Sequence, residues 1–197
     1  MAETAGRPRG FDREVALESA LREFWRNGYE ATSISTLTRA MGIKPPSLYA
    51  AFGDKRALFT EAVARYVETY GSYGATALAE PTARAAVEKL LGLAAVEYTE
   101  ASHPPGCLVI SAATNCSPAN HDVEAELRAQ RTATKDAIAA KISVDIGLGL
   151  LPPETDAPAL ATFYAATVQG MNTQARDGAS RADLDKIAEI ALQAWPR

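Results

Sequence analysis

Cysteine and histidine are scarce, with two of each in 197 residues. Cys107 and Cys116 cannot supply the disulfide framework of a small exported domain, and a reducing compartment suits them. If the segment between them is helical, nine positions set the sulfurs ~13 Å apart along the axis, too far for a bridge. They are read as buried, inert thiols, with redox sensing as the alternative. His103 and His121 add too little for a metal centre or nucleophilic catalysis, so no enzyme, no metal and no cofactor is expected. No apolar run approaches the ~18 residues that span a bilayer. The arginines before Gly10 lead into no apolar stretch of the sort an export signal needs. A cytoplasmic protein with no membrane partner is therefore expected. Extensive disorder is excluded as well, because 47% of the residues are apolar, enough for a core.

The net charge of −4 speaks against binding a polyanion, but it is unevenly spread. Residues 1–56 hold nine Lys/Arg against seven Asp/Glu, while the remainder holds eleven against seventeen. Only the head of the chain suits a polyanion.

No strand alternation or repeat interrupts a series of helical patterns. Asp12 caps a helix carrying Leu17, Ala20, Leu21 and Phe24, which ends near Asn27-Gly28. Ser33 caps a second with Ile34, Leu37 and Met41 on one face, stopped by Gly42, and Pro45-Pro46 opens a third that ends near Phe52-Gly53. Asp54 caps a fourth through Leu58, Ala62, Tyr66 and Tyr70, drawn as ~30 Å long. Another starts at Pro81-Thr82. Cys107 to Asn115 is assigned to helix for want of a partner strand, a long helix follows Ser117-Pro118, and two more close the chain. The fold class is all-α: three short N-terminal helices, then a larger helical body.

Three short helices with the tight turn Gly42-Ile43-Lys44 between the second and third describe a helix-turn-helix. A short helix held on a small scaffold can enter the ~12 Å major groove. Ser33, Ser35 and Thr36, then Lys44, Ser47, Tyr49, Lys55 and Arg56, are phosphate donors and base-edge readers by type, not catalysts. Arg7-Pro8-Arg9-Gly10 reads either as an arm into a minor groove or as a loose tail.

The residues Gly28-Tyr29, Thr32-Ser33-Ile34, Ala40-Met41-Gly42-Ile43 and Ser47 to Phe59 closely resemble the DNA-binding domain of the TetR family of bacterial transcriptional regulators. The likeness covers roughly residues 12–60; Pro-Gly-Cys-Leu-Val at 105–109 resembles one subgroup of that family. The resemblance implies an all-α homodimer that acts as a ligand-responsive repressor on double-stranded operator DNA. It divides the chain into a basic arm (1–10), a helix-turn-helix domain (11–53), and an effector-binding and dimerisation domain (54–197). It makes Lys44 to Phe52 the recognition segment, with Pro45 entering it and Tyr49 and Lys55 on phosphates. The small Ala50 and Ala51 leave base readout sparse and apolar, such as alanine against a thymine methyl.

For the body, Tyr66, Tyr70, Tyr73, Tyr98, Asn115, Phe163, Tyr164, Gln169 and Asn172 combine apolar surface with polar tips and can line a small-molecule pocket, or equally fill a core. The overall acidity of the body favours a neutral or cationic, largely apolar effector. The resemblance places dimerisation on the last two helices. There, Ala166 and Gly170 allow close approach beside Leu160, Val168, Ile187, Ala191 and Trp195.

Overall fold

In a computed structural model, which describes residues 10–196, α1 (Arg13–Ala31) starts where Asp12 Oδ1 accepts the N–H groups of Glu14 and Val15. Residues 1–9, and with them the Arg7 and Arg9 arm, lie outside the described residues. Helical geometry breaks at Gly28 (φ 78°, ψ 169°), close to the expected end. Ser33 Oγ caps α2 (Ile34–Met41) by accepting from Thr36 N at 3.0 Å. Gly42 in the left-handed region (φ 68°) closes it, with Ile43 N donating to Thr38 O. Next, α3 (Pro45–Phe52) begins on its two prolines. Asp54 then caps α4 (Lys55–Glu68) through Ala57 N.

Two expectations change here. At 14 residues, α4 is ~21 Å long rather than ~30 Å. The chain turns at Gly71, whose N–H donates back to Tyr66 O, and Tyr73 starts a separate helix, α5 (Tyr73–Leu78). The Tyr66, Tyr70, Tyr73 spacing mimicked one continuous helix because all three rings turn inward across that break. The second change is in the segment 107–115, where only α7 (Leu108–Ser111) is helical.

Before α7 lies α6 (Ala83–Tyr98), capped by Thr82. After it, a 3-10 turn at Pro118–Asn120 leads into α8 (His121–Gly147), followed by α9 (Ala157–Arg176) and α10 (Arg181–Leu192). A capping box between Ser180 and Asp183 starts α10. Among the described residues there is no strand, and no helix is long and apolar enough to cross a membrane.

One continuous core runs through both parts of the chain. Trp25 of α1 is fully buried and lies edge-on to Tyr66 of α4 (centroids 4.7 Å apart) and stacked on His103 (4.6 Å). Its area, withdrawn from water between α1, α4 and His103, is a large apolar contribution to holding these segments together.

Candidate nucleic-acid interface

Of the three N-terminal helices expected to be short, α1 has 19 residues and only α2 and α3, at eight each, are short; together they bury Leu37, Leu48 and Phe52 against Phe24 and Phe59, which leaves the outer surfaces of α2 and α3 to solvent. Ser33, Ser35, Lys44, Pro45, Tyr49 and Ala50 are exposed there, and Thr36 and Ser47 are half-buried. Tyr49 is 51% exposed although it is a large aromatic on a well-packed three-helix unit. Arg39, exposed in the last turn of α2, belongs to the same surface and escaped the sequence reading because it sits outside the matched motif residues. Helix α2 presents its N-terminus, with the Ser33 and Thr36 hydroxyls 2.9 Å apart, as a group of donors suited to a phosphate.

Lys55 and Arg56 are half-buried, and each makes a contact within the chain. The Lys55 ammonium lies 4.2 Å from the centre of the Tyr29 ring, and burial pulls its pKa below the ordinary lysine value, with Glu30 working in the other direction. Arg56 is directed inward to α8, 2.7 Å from Glu126 and 3.6 Å from Asp122. That pairing ties the start of α4 to the body and leaves Arg56 engaged rather than open to a phosphate.

The residues considered for a pocket separate into four environments. Tyr66, Tyr98 and Tyr164 are fully buried core. Tyr98 shares a hydroxyl contact of 2.9 Å with Tyr73, and Tyr164 donates to Ala191 O and packs on Trp195. Tyr70 donates to Glu18 at 2.6 Å and accepts from Arg22, in a network joining α4 to α1. Asn115 and Phe163 are exposed at separate places. Gln169 and Asn172 share a concave surface, a cleft of about 460 Å³ between α7, α8 and α9.

Cys107 borders that region from within. Burial pushes its thiol pKa up, against the Tyr66 and Tyr73 hydroxyls that work to lower it, and burial also raises Cys116. Both thiols are free. A thiol held protonated is a weak nucleophile, which favours the reading of inert cysteines. His103 is buried 3.1 Å from Glu97, but the contact lacks good hydrogen-bond alignment.

On the last two helices, Ala166 and Gly170 are exposed and Leu160, Val168 and Ile187 half-buried. Ala191 and Trp195, each 5% exposed, are buried by their own chain. Phe163 and Ile190, 43% and 67% exposed, are the large apolar side chains left uncovered on these helices.

A three-helix unit with an open turn-and-helix face, carried on a larger helical body, defines a helix-turn-helix DNA-binding regulator. The chain belongs to the TetR family: residues 16–62 match the profile of bacterial regulatory proteins of the tetR family, and residues 81–190 that of the tetracyclin repressor-like C-terminal domain. It is 34% identical to the HTH-type transcriptional repressor ComR of Escherichia coli K12 over 97% of this chain and 92% of that protein. With BdcR, another HTH-type transcriptional repressor of that strain, identity is 32% over 96% and 91%. The structure is similar to a cysteine-substituted variant of the TetR family regulator CifR complexed with 26-bp double-strand operator DNA. Identity there is 42% and the TM-score 0.91, covering 97% of this chain and all of the other.

Proposed function

We propose that the protein is a transcriptional repressor that binds a pseudo-palindromic operator as a homodimer and is released when a small molecule occupies the C-terminal domain. The observation that carries this reading is the exposed α2–α3 face on a chain that superimposes almost throughout on an operator-bound relative. In it, Lys44, Ser47, Tyr49 and Ala50 approach bases and phosphates from the major groove, while Ser33, Ser35, Thr36 and Lys55 fix the register on the backbone. Arg56 serves as a tether to α8, given its pairing with Glu126. Because binding is linked, an effector that weakens operator affinity is itself bound more weakly on the operator, by the same factor.

The test is selection of bound fragments from random double-stranded DNA. Recovery of an inverted repeat with half-sites about one helical turn apart supports the reading. Recovery of no enriched sequence, or of an unrepeated half-site, overturns it.

A further inference from the structure

Two arginines face the cleft between α7, α8 and α9, and neither has a carboxylate within ion-pairing distance among the described residues. Arg131 of α8 is part-buried and donates to a single protein oxygen, Val109 O, at 2.8 Å. A guanidinium carries five N–H donors, so most of its capacity is unspent. Burial lowers its pKa, and Glu124, the acid that opposes this, is paired with Arg128 at 3.8 Å. A partly desolvated cation without an anion is unfavourable. Arg176, in the last turn of α9, reaches only neutral oxygens and only at long range: Trp25 O at 3.3 Å, Arg26 O at 3.4 Å and Ser111 Oγ at 3.5 Å.

Asn172 adds an oriented donor. Its Oδ1 accepts the Cys107 N–H at 2.6 Å, which fixes the amide and leaves Nδ2 to face away from that bond. Ser111, Thr114 and Thr173 contribute hydroxyls, and Ile110 a patch of apolar wall. The single acid among the lining residues, Asp177, is exposed to solvent. At about 460 Å³ the space lies within the range of small-molecule sites.

We propose that this cleft binds a small organic carboxylate through Arg131 and Arg176, and that the bound carboxylate draws Arg176 away from α1. The inference rests on the effector-responsive reading above and names the class of its ligand. It departs from the neutral or cationic effector expected from the acidity of the body. Charge averaged over that whole body counts for less than two cations a few ångströms from the ligand, since more distant surface charges are screened beyond ~8–10 Å.

Arg176 gives the site its consequence. Trp25 and Arg26 lie in the last turn of α1 before the break at Gly28, where carbonyls lose their helical partners. Arg176 caps those carbonyls from the other domain. A carboxylate offers it a full opposite charge and two parallel N–H···O bonds, where the carbonyls offer only neutral acceptors at long range. Occupancy of the cleft and the cap on α1 therefore compete for one side chain.

The test uses the full chain, benzoate as probe and neutral benzamide as its isostere, followed by calorimetric titration at constant ionic strength. Benzoate should bind saturably and benzamide at least about tenfold more weakly. Arg131→Gln should weaken benzoate about 10- to 100-fold while leaving the unfolding midpoint equal or higher. Arg176→Gln, which also removes the cap, should weaken benzoate and speed hydrogen exchange at the Trp25, Arg26 and Asn27 amides, in the turn of α1 that the cap closes. Adding benzoate to the unsubstituted chain should speed exchange at the same amides. Absence of saturable benzoate binding at millimolar concentration, equal affinity for benzamide, or indifference to Arg131→Gln overturns the site; unchanged exchange with benzoate bound overturns the competition. The titration needs no DNA, so a chain that selects no operator still answers for the cleft. A chain that selects an operator but ignores benzoate removes the cleft alone.

Discussion

Glu18 accepts three hydrogen bonds at once: from Arg22 Nε at 2.8 Å, from the Tyr70 hydroxyl at 2.6 Å, and from Arg65 Nε at 3.0 Å. Burial works to raise its pKa, and the three donors together outweigh burial and hold it below the ordinary carboxylate value. A depressed folded-state pKa contributes stability that is present above the unfolded value and lost as pH falls through the folded one. Glu18→Gln should therefore cost about 1–2 kcal/mol at neutral pH and flatten the acid limb of the thermal midpoint against pH. An acid limb as steep as that of the parent chain would assign the effect to other carboxylates. Lys55 offers a second measurement at this scale. If its ammonium reaches phosphate from above the Tyr29 ring, Lys55→Ala weakens all operator sequences alike and reduces the slope of log K against log salt by about two per dimer. An unchanged slope would make the Tyr29 contact its whole role. Caps such as Asp12, Ser33 and Asp54 were legible in the sequence, because a cap bonds within three residues of itself. Arg131 and Arg176 were not, because their partners lie 22 and about 150 positions away.

At the scale of elements, α7 is four residues long yet tied to three helices. Cys107 N donates to Asn172 of α9, Arg131 of α8 donates to Val109 O, and Tyr29 N of α1 donates to Ala112 O at 2.7 Å. Two glycines allow these approaches. A Cβ on Gly28 would stand 3.1 Å from Ala112 O, and one on Gly106 (φ +81°) only 2.5 Å from Asn172 Oδ1. Gly106→Ala should break the Asn172 bond, cost about 1–3 kcal/mol in thermal unfolding, and weaken the cleft without touching the α2–α3 face. Retention of parental stability would show that α7 can yield without loss. The sequence announced the helix-turn-helix element because its glycines and prolines stop and start helices locally. It could not announce α7, since Leu108–Ser111 is too short for periodicity and is held by bonds from distant helices. For the same reason the sequence left pocket and core open for these residues: helical spacing identified inward-facing tyrosines but not whether the space between them is filled.

For the whole molecule, the homodimer proposed above requires two copies to meet so that two recognition helices stand at a fixed separation on a pseudo-palindromic operator. Ala159, Phe163, Ala166 and Gly170 are all exposed and follow one another at intervals of four, three and four along α9, so they form a single stripe. Small residues at 166 and 170 let a second helix approach closely, with Phe163 beside them as a large apolar anchor. The neighbouring α10 leaves Ile190 open, whereas Ala191 and Trp195 are spent on the core of their own chain. The proposed interface is therefore narrower than the sequence suggested and centred nearer to α9. Gly170→Glu is a selective probe of it, because an added Cβ at this position meets nothing within 4 Å in the isolated chain. The single protomer should keep its helical signal and be no less stable, because a glycine inside a helix costs about 0.5–1 kcal/mol relative to a good helix former. The assembly should not survive a desolvated, unpaired carboxylate at its centre, which costs several kcal/mol. Sedimentation should show monomers, and operator affinity should fall by far more than the loss of any one phosphate contact, because each half-site must then be bound without its neighbour. A variant that sediments as an intact dimer would place the interface elsewhere, and one that is monomeric yet binds the full operator undiminished would remove dimerisation from the mechanism.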